Sequence, residues 1–130
     1  AAGSTPPRVL LTTVPGEPHE LGLLMVEALF ALEGAQCVPL GVQMPLTEIA
    51  NAATAHRADI VALSFSVAFP TRRIPALLDQ LRTMLPESTS LWAGGSGVSH
   101  AEAPEGITLM RSLDDGLAAL AGWRADHSLR

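Results

Sequence analysis

The spacing of apolar and polar positions changes character along the chain, and each change predicts an element. Arg8–Val14 is a run of apolar residues and threonines, too short for a helix, which reads as a strand buried on both faces. Leu21–Leu32 is apolar almost all round, as expected of a helix covered on more than one side, and Gly34 supplies its stop. Cys37–Leu40 predicts a short second strand. Pro45 and Thr47 open a second helix with Leu46, Ile49, Ala50 and Ala53 as its stripe. Asp59 precedes a third buried strand, Ile60–Leu63, which runs out into Ser64-Phe65-Ser66. Thr71 is placed to cap a third helix that carries Ile74, Leu77, Leu78, Leu81 and Leu85 on one face. Pro75 falls in its first turn, where it is tolerated, and Pro86 follows its end. Leu91-Trp92-Ala93 predicts a fourth strand closed by Gly94-Gly95-Ser96-Gly97, with an irregular helical turn or two on the way to Pro104. Ile107–Met110 predicts a fifth strand. Ser112-Leu113-Asp114-Asp115 has the form of a capping box with Asp in place of Glu, opening a last helix with Leu113, Leu117, Leu120 and Trp123.

Strands and helices thus alternate five times. That alternation predicts an α/β fold: a three-layer, flavodoxin-like or Rossmann-like sandwich around a five-stranded parallel sheet with right-handed crossovers. Five strands favour the order 2-1-3-4-5. The expected organisation is a disordered lead-in over residues 1–7, one domain over 8–124, and a frayed tail over 125–130.

Composition narrows the function. The net charge is −5, every basic residue is Arg, and only Arg72-Arg73 are adjacent. A protein that grips nucleic acid needs a clustered basic face, so direct contact with DNA or RNA by this domain is not expected. One cysteine, Cys37, sits in an apolar run and reads as a small buried hydrophobe. A disulfide scaffold is excluded and a cytoplasmic setting is favoured. No apolar run approaches the roughly 18 residues of a membrane span. The chain opens on Ala1 rather than Met and reads as a piece of something longer.

In a 2-1-3-4-5 sheet, ligands bind at the carboxyl ends of the strands, where the winding reverses between strands one and three. Three loops end there. The first carries Glu17, His19 and Gly22, the second Ser64 and Ser66, the third Gly94, Gly95 and Gly97. His19 offers a ring nitrogen, and close to a helix N-terminus its neutral form is favoured, the form that binds metals. A lone histidine cannot build a zinc site, which needs three or four ligands. It suffices as one axial ligand to a metal already held in a macrocycle. Glu17 can accept from the other ring nitrogen and so orient it. Ser64 and Ser66 offer hydroxyls, while Gly22, Gly94 and Gly95 are expected to let a long or flat ligand slide against bare backbone. Valine at Gly94 or Gly95 is therefore expected to fill the slot without unfolding the domain. Each signal has a bland counterpart: a loop histidine bonded locally, a tight Gly-Gly turn, a serine that satisfies a strand end.

Glu17-x-His19-x-x-Gly22, Ser64-x-Ser66 and Gly94-Gly95 together resemble the vitamin B12-binding domain family, over roughly Arg8 to Trp123. The family pattern is Asp-x-His-x-x-Gly, Ser-x-Leu and Gly-Gly, so Glu17 and Ser66 depart from it. The resemblance implies a corrinoid bound base-off, with His19 as the lower cobalt ligand and Glu17 as its partner. It also implies that Ser64 bonds the displaced base and that Gly22, Gly94 and Gly95 flank the nucleotide tail. The run Pro15-Gly16-Glu17-x-His19-Glu20-Leu21-Gly22-Leu23 is similar to the sensor domain of MerR-type, light-dependent bacterial repressors, and it brings Leu23 into the cofactor-binding set. That similarity implies adenosylcobalamin as cofactor and a role in transcription regulation rather than catalysis. DNA would be bound by an N-terminal domain that this sequence lacks, in a full-length protein able to form homo-oligomers. The alternatives are the cobalamin-carrying subunit of a mutase or methyltransferase, a haem-binding variant of the sensor fold with His19 on the iron, and a relict fold that binds nothing. A phosphoryl-receiver domain is excluded because position 64 is Ser and the chain has no Lys. A flavodoxin is excluded because the first loop is not rich in Ser and Thr. Gly94-Gly95-x-Gly97 lacks the spacing and position of a dinucleotide fingerprint.

Overall fold

The computed structural model of the chain describes residues 5–128. Its five strands are β1 (Thr5–Thr12), β2 (Ala35–Gly41), β3 (Ile60–Ser64), β4 (Ser90–Gly94) and β5 (Thr108–Met110). They pair in parallel in the order β2-β1-β3-β4-β5, as the alternation predicts. Three α-helices connect successive strands, α1 (Leu21–Leu32), α2 (Leu46–Ala55) and α3 (Ile74–Met84); β4 reaches β5 through a 3-10 turn, Ser96–Val98, and α4 (Leu113–His127) follows β5.

The buried strands lack a polar face because each face meets helices, and the period of two sorts their residues into two cores. Leu10, Val61, Leu63, Leu91 and Ala93 point one way, against Ile49 and Ala53 of α2 and Ile74, Leu78 and Leu81 of α3. Val9, Leu11, Ile60, Ala62 and Trp92 point the other way, against Leu23 and Phe30 of α1 and Leu120 of α4. In this second core Phe30 meets Trp92 edge-on, with ring centroids 6.0 Å apart.

Several boundaries differ from the sequence reading. β1 begins at Thr5, so the expected lead-in is strand over Thr5–Pro7, while residues 1–4 lie outside the described residues. Pairing explains the difference: the Thr5 N–H donates to the Gly34 carbonyl and Thr5 is in register with Ala35. Val14 lies beyond the strand, buried in the turn that follows it. α4 continues through Ala125 to His127, whose ring stacks on Trp123 at 3.9 Å and whose Nδ1 lies 2.7 Å from the Trp123 carbonyl oxygen. Of the expected tail, residues 129–130 lie outside the described residues. Thr71 does not cap α3 with its side chain. It opens a 3-10 turn, Thr71–Arg73, from which Ile74 starts the helix.

Two predicted devices work as expected. Gly34 takes φ +84° and turns α1 into β2, with its N–H donating to the Ala31 carbonyl. Ser112 caps α4 by accepting from the Asp115 N–H at 3.1 Å, although the Asp115 carboxylate reaches the N–H of Arg111, one residue beyond the capping-box position. Cys37 is half-buried. Burial, and then the charge of Glu27, push its thiol up to about 11, which makes it a packing residue rather than a reactive one. No helix among the described residues is long and apolar enough to cross a membrane.

Candidate functional site

The loop after β1 makes a tight turn in which the Glu17 N–H donates to the Val14 carbonyl and Gly16 takes φ +91°. Thr13 braces it: its hydroxyl donates to the Glu17 carbonyl at 2.5 Å and accepts from the Gln43 N–H at 2.8 Å. The turn drives the Glu17 side chain inward, where it is 1% exposed, and leaves the side chain of His19 59% exposed. Among the described residues Glu17 is the one fully buried acidic or basic side chain.

Its carboxylate accepts from four donors. Oε1 accepts from the Ser66 N–H. Oε2 accepts from the Ser66 hydroxyl at 3.0 Å, from His19 Nδ1 at 2.9 Å and from the His19 N–H at 3.3 Å. Burial opposes the charge, but these hydrogen bonds outweigh it and hold the Glu17 carboxyl below its ordinary value. An ionised carboxylate can only accept, so the neutral imidazole keeps its proton on Nδ1, which leaves the lone pair on Nε2 of the exposed ring. The Ser66 hydroxyl lies 3.2 Å from Nδ1 and completes a triangle of polar groups.

Beside His19 lies a cleft of about 530 Å³ between α1 and the start of α4. Gly22, Met25, Val26, Leu29 and Phe30 of α1 form one wall, and Met110, Leu113 and Gly116 form the facing one. Ser64, Gly94 and Gly95 close the bottom at the ends of β3 and β4. Apart from Arg111, the polar groups along it are the serines and His19, so the cleft suits an elongated, mostly apolar group with a few hydrogen-bonding atoms. The Ser64 hydroxyl makes no side-chain hydrogen bond among the described residues.

Of the site residues expected from sequence, His19, Gly22, Ser64, Ser66, Gly94 and Gly95 line the cleft. Glu17 stands behind His19 and does not. Leu23 is packed against the sheet with Val9 and Leu11, because one step along a helix turns it away from the face that Gly22 shows to the cleft. The glycines also have a different reason to be glycine. A Cβ on Gly22 would lie 2.6 Å from Ser64 Oγ, and one on Gly94 would lie 3.3 Å from Met110. One on Gly95, at φ +95°, would run into the Phe65 carbonyl. They let the loops close on one another first, so valine at Gly95 would disturb the fold as well as the cleft. His100 is exposed and does not line the cleft. Arg73 lies over the Phe69 ring, 5.2 Å from its centroid, and does not line the cleft either. The sequence reading missed the walls contributed by Met25, Leu29, Met110, Leu113 and Gly116. One sign of them was visible, since α1 is apolar even on the side turned from the sheet.

Among the described residues no group of three His, Cys, Asp or Glu side chains is placed to hold a bare metal ion. Sequence comparison matches residues 7–120 to the B12 binding domain model. The chain belongs to the B12 binding domain family. Curated relatives of this B12 binding domain include the HTH-type transcriptional repressor CarH of Myxococcus xanthus, 30% identical over 94 residues. They also include the methionine synthase of Mycobacterium leprae, 27% identical over 95 residues. Each alignment covers 72% of this chain, but only 31% of the repressor and 8% of the synthase. A cobalamin-binding protein from Desulfitobacterium hafniense DCB-2 shares the fold, with TM-score 0.69 at 20% identity over 89% of this chain and 58% of that one.

Proposed function

We propose that this B12 binding domain holds a corrinoid base-off, with His19 Nε2 as the lower axial ligand, and that it serves as the sensory module of a transcription regulator. The observation that carries the reading is the His19–Glu17 pair. An exposed imidazole has one nitrogen tied to a buried carboxylate and the other available, and among the described residues it belongs to no group of three side chains able to hold a bare metal ion. When bound, a corrin would bring a cobalt already held in its own macrocycle, so a single protein nitrogen, that of His19, is what such a site would have to provide. Glu17 keeps the ring in one tautomer and raises its donor strength. The cleft beside His19, with the Ser64 hydroxyl at its bottom, receives the displaced nucleotide tail, and the apolar residues of α1 and α4 exclude water along it.

The regulatory role rests on the Pro15–Leu23 run and on the similarity to CarH. Adenosylcobalamin is then the cofactor, and DNA is contacted by another part of the polypeptide. A second reading, a cobalamin carrier in a methyl-transferring enzyme, is favoured by the similarity to methionine synthase. Methyl transfer from the loaded domain to a thiol acceptor, in the presence of partner subunits, separates the two.

Titration with hydroxocobalamin, followed by absorption, tests the site. The wild-type domain is expected to give the spectrum of a histidine-ligated, base-off corrinoid. His19→Ala is expected to lose that spectrum, with affinity lowered about tenfold or more. An identical spectrum in the variant removes His19 from the role.

A further inference from the structure

We infer that Ser66 is a positioning residue for His19 that acts through Glu17, and that Glu17 and Ser66 form a matched pair. This rests on His19 being the nitrogen donor proposed above. An ionised carboxylate offers about four lone-pair sites. Here four donors reach it, two from Ser66 and two from His19, one on Oε1 and three on Oε2. The acid is therefore held from the β3 side by the same residue through its backbone and its hydroxyl. It cannot swing while His19 bonds to it.

Ser66 is itself fixed. Its carbonyl accepts from the Phe69 N–H at 3.1 Å, and a side chain at Gly97 would collide with that same carbonyl. With both ends anchored, the length of the acid and the size of residue 66 depend on each other. Aspartate at 17 falls short by about one carbon–carbon bond, ~1.5 Å, and cannot reach Ser66 and His19 together. Leucine at 66 puts carbon against a buried charged oxygen and removes a donor. Both positions depart from the Asp and Leu of the resemblance, and the structure brings the two departures into one contact across 49 residues of chain. A shorter acid beside a larger apolar residue restores the fit from the other direction.

The test uses Glu17→Asp, Ser66→Leu and the double variant, titrated with hydroxocobalamin. Each single change is expected to weaken binding about tenfold or more and to lower the histidine-ligated fraction in the spectrum. The double variant is expected to lose clearly less than the product of the two. A cofactor-free readout stands beside it: nitrogen NMR of His19 should show the proton on Nδ1 in the wild type and in Ser66→Thr. In Ser66→Ala and Ser66→Leu it should shift toward Nε2. Multiplicative losses in the cycle, or an unchanged tautomer in Ser66→Ala and Ser66→Leu, overturn the pairing. An unaltered spectrum in His19→Ala instead overturns the ligand reading and leaves the tautomer result to judge the pair.

Discussion

Glu17 and His19 are two residues apart, yet one is sealed in the protein and the other faces solvent. The turn through Gly16 makes this division, and the hydrogen bonds on the carboxylate stabilise it. Because the folded-state carboxyl is held below 4.5, Glu17 contributes stability that is fully present above its unfolded value. That contribution is lost as the pH falls below about 4.5 and through the lower folded value. Glu17→Gln should be less stable at pH 7 by about 1–3 kcal/mol, the usual cost of leaving buried polar groups poorly paired. It should also lack this part of the acid sensitivity. Urea unfolding at pH 7 and at pH 4 reads both. If the two proteins lose stability in parallel between those conditions, the charge on Glu17 is not what the fold uses.

The cleft is made by whole helices rather than by single residues. α1 packs Leu23 and Phe30 into the core and turns Leu21 and Met25, 69% and 48% exposed, toward the opening. α4 faces it with Gly116, where a Cβ would sit 3.6 Å from Phe30 and 3.7 Å from the Met110 sulfur, at ordinary contact distance. Gly116 is helical and unstrained, so Gly116→Ala should stabilise the domain by about 0.5–1 kcal/mol in a urea melt. Gly116→Leu extends past that contact into the cleft. It should fold and bind hydroxocobalamin more weakly than the alanine variant. Equal affinity in the two would mean that nothing of the ligand passes between α1 and α4.

At the scale of the molecule, the order β2-β1-β3-β4-β5 gathers the loops after β1, β3 and β4 at one end of the sheet. The two cores pack on either side of the sheet beneath that end. A ligand that binds only the folded chain stabilises it by mass action, about 2.7 kcal/mol at a free concentration one hundred times its dissociation constant. The melting temperature should therefore rise with added hydroxocobalamin, and rise less in His19→Ala at the same concentration. A shift of the same size in both would place the binding energy elsewhere.

The strands, their parallel order and the placing of His19, Ser64 and Gly94 at the loop ends were determined by the sequence. Buried runs, helical stripes and turn residues are local signals, and few topologies satisfy five alternations of them. The walls of the cleft, the burial of Glu17 and its grip on Ser66 were decided only by the tertiary structure. So was the reason for the glycines, which make room for neighbouring loops before any ligand. These arrangements join residues that share no local pattern, such as Glu17 bonded to Ser66, or Met25 and Leu113 on facing walls of the cleft. Periodicity records which face of an element is buried, and it says nothing about which distant side chain that face will meet.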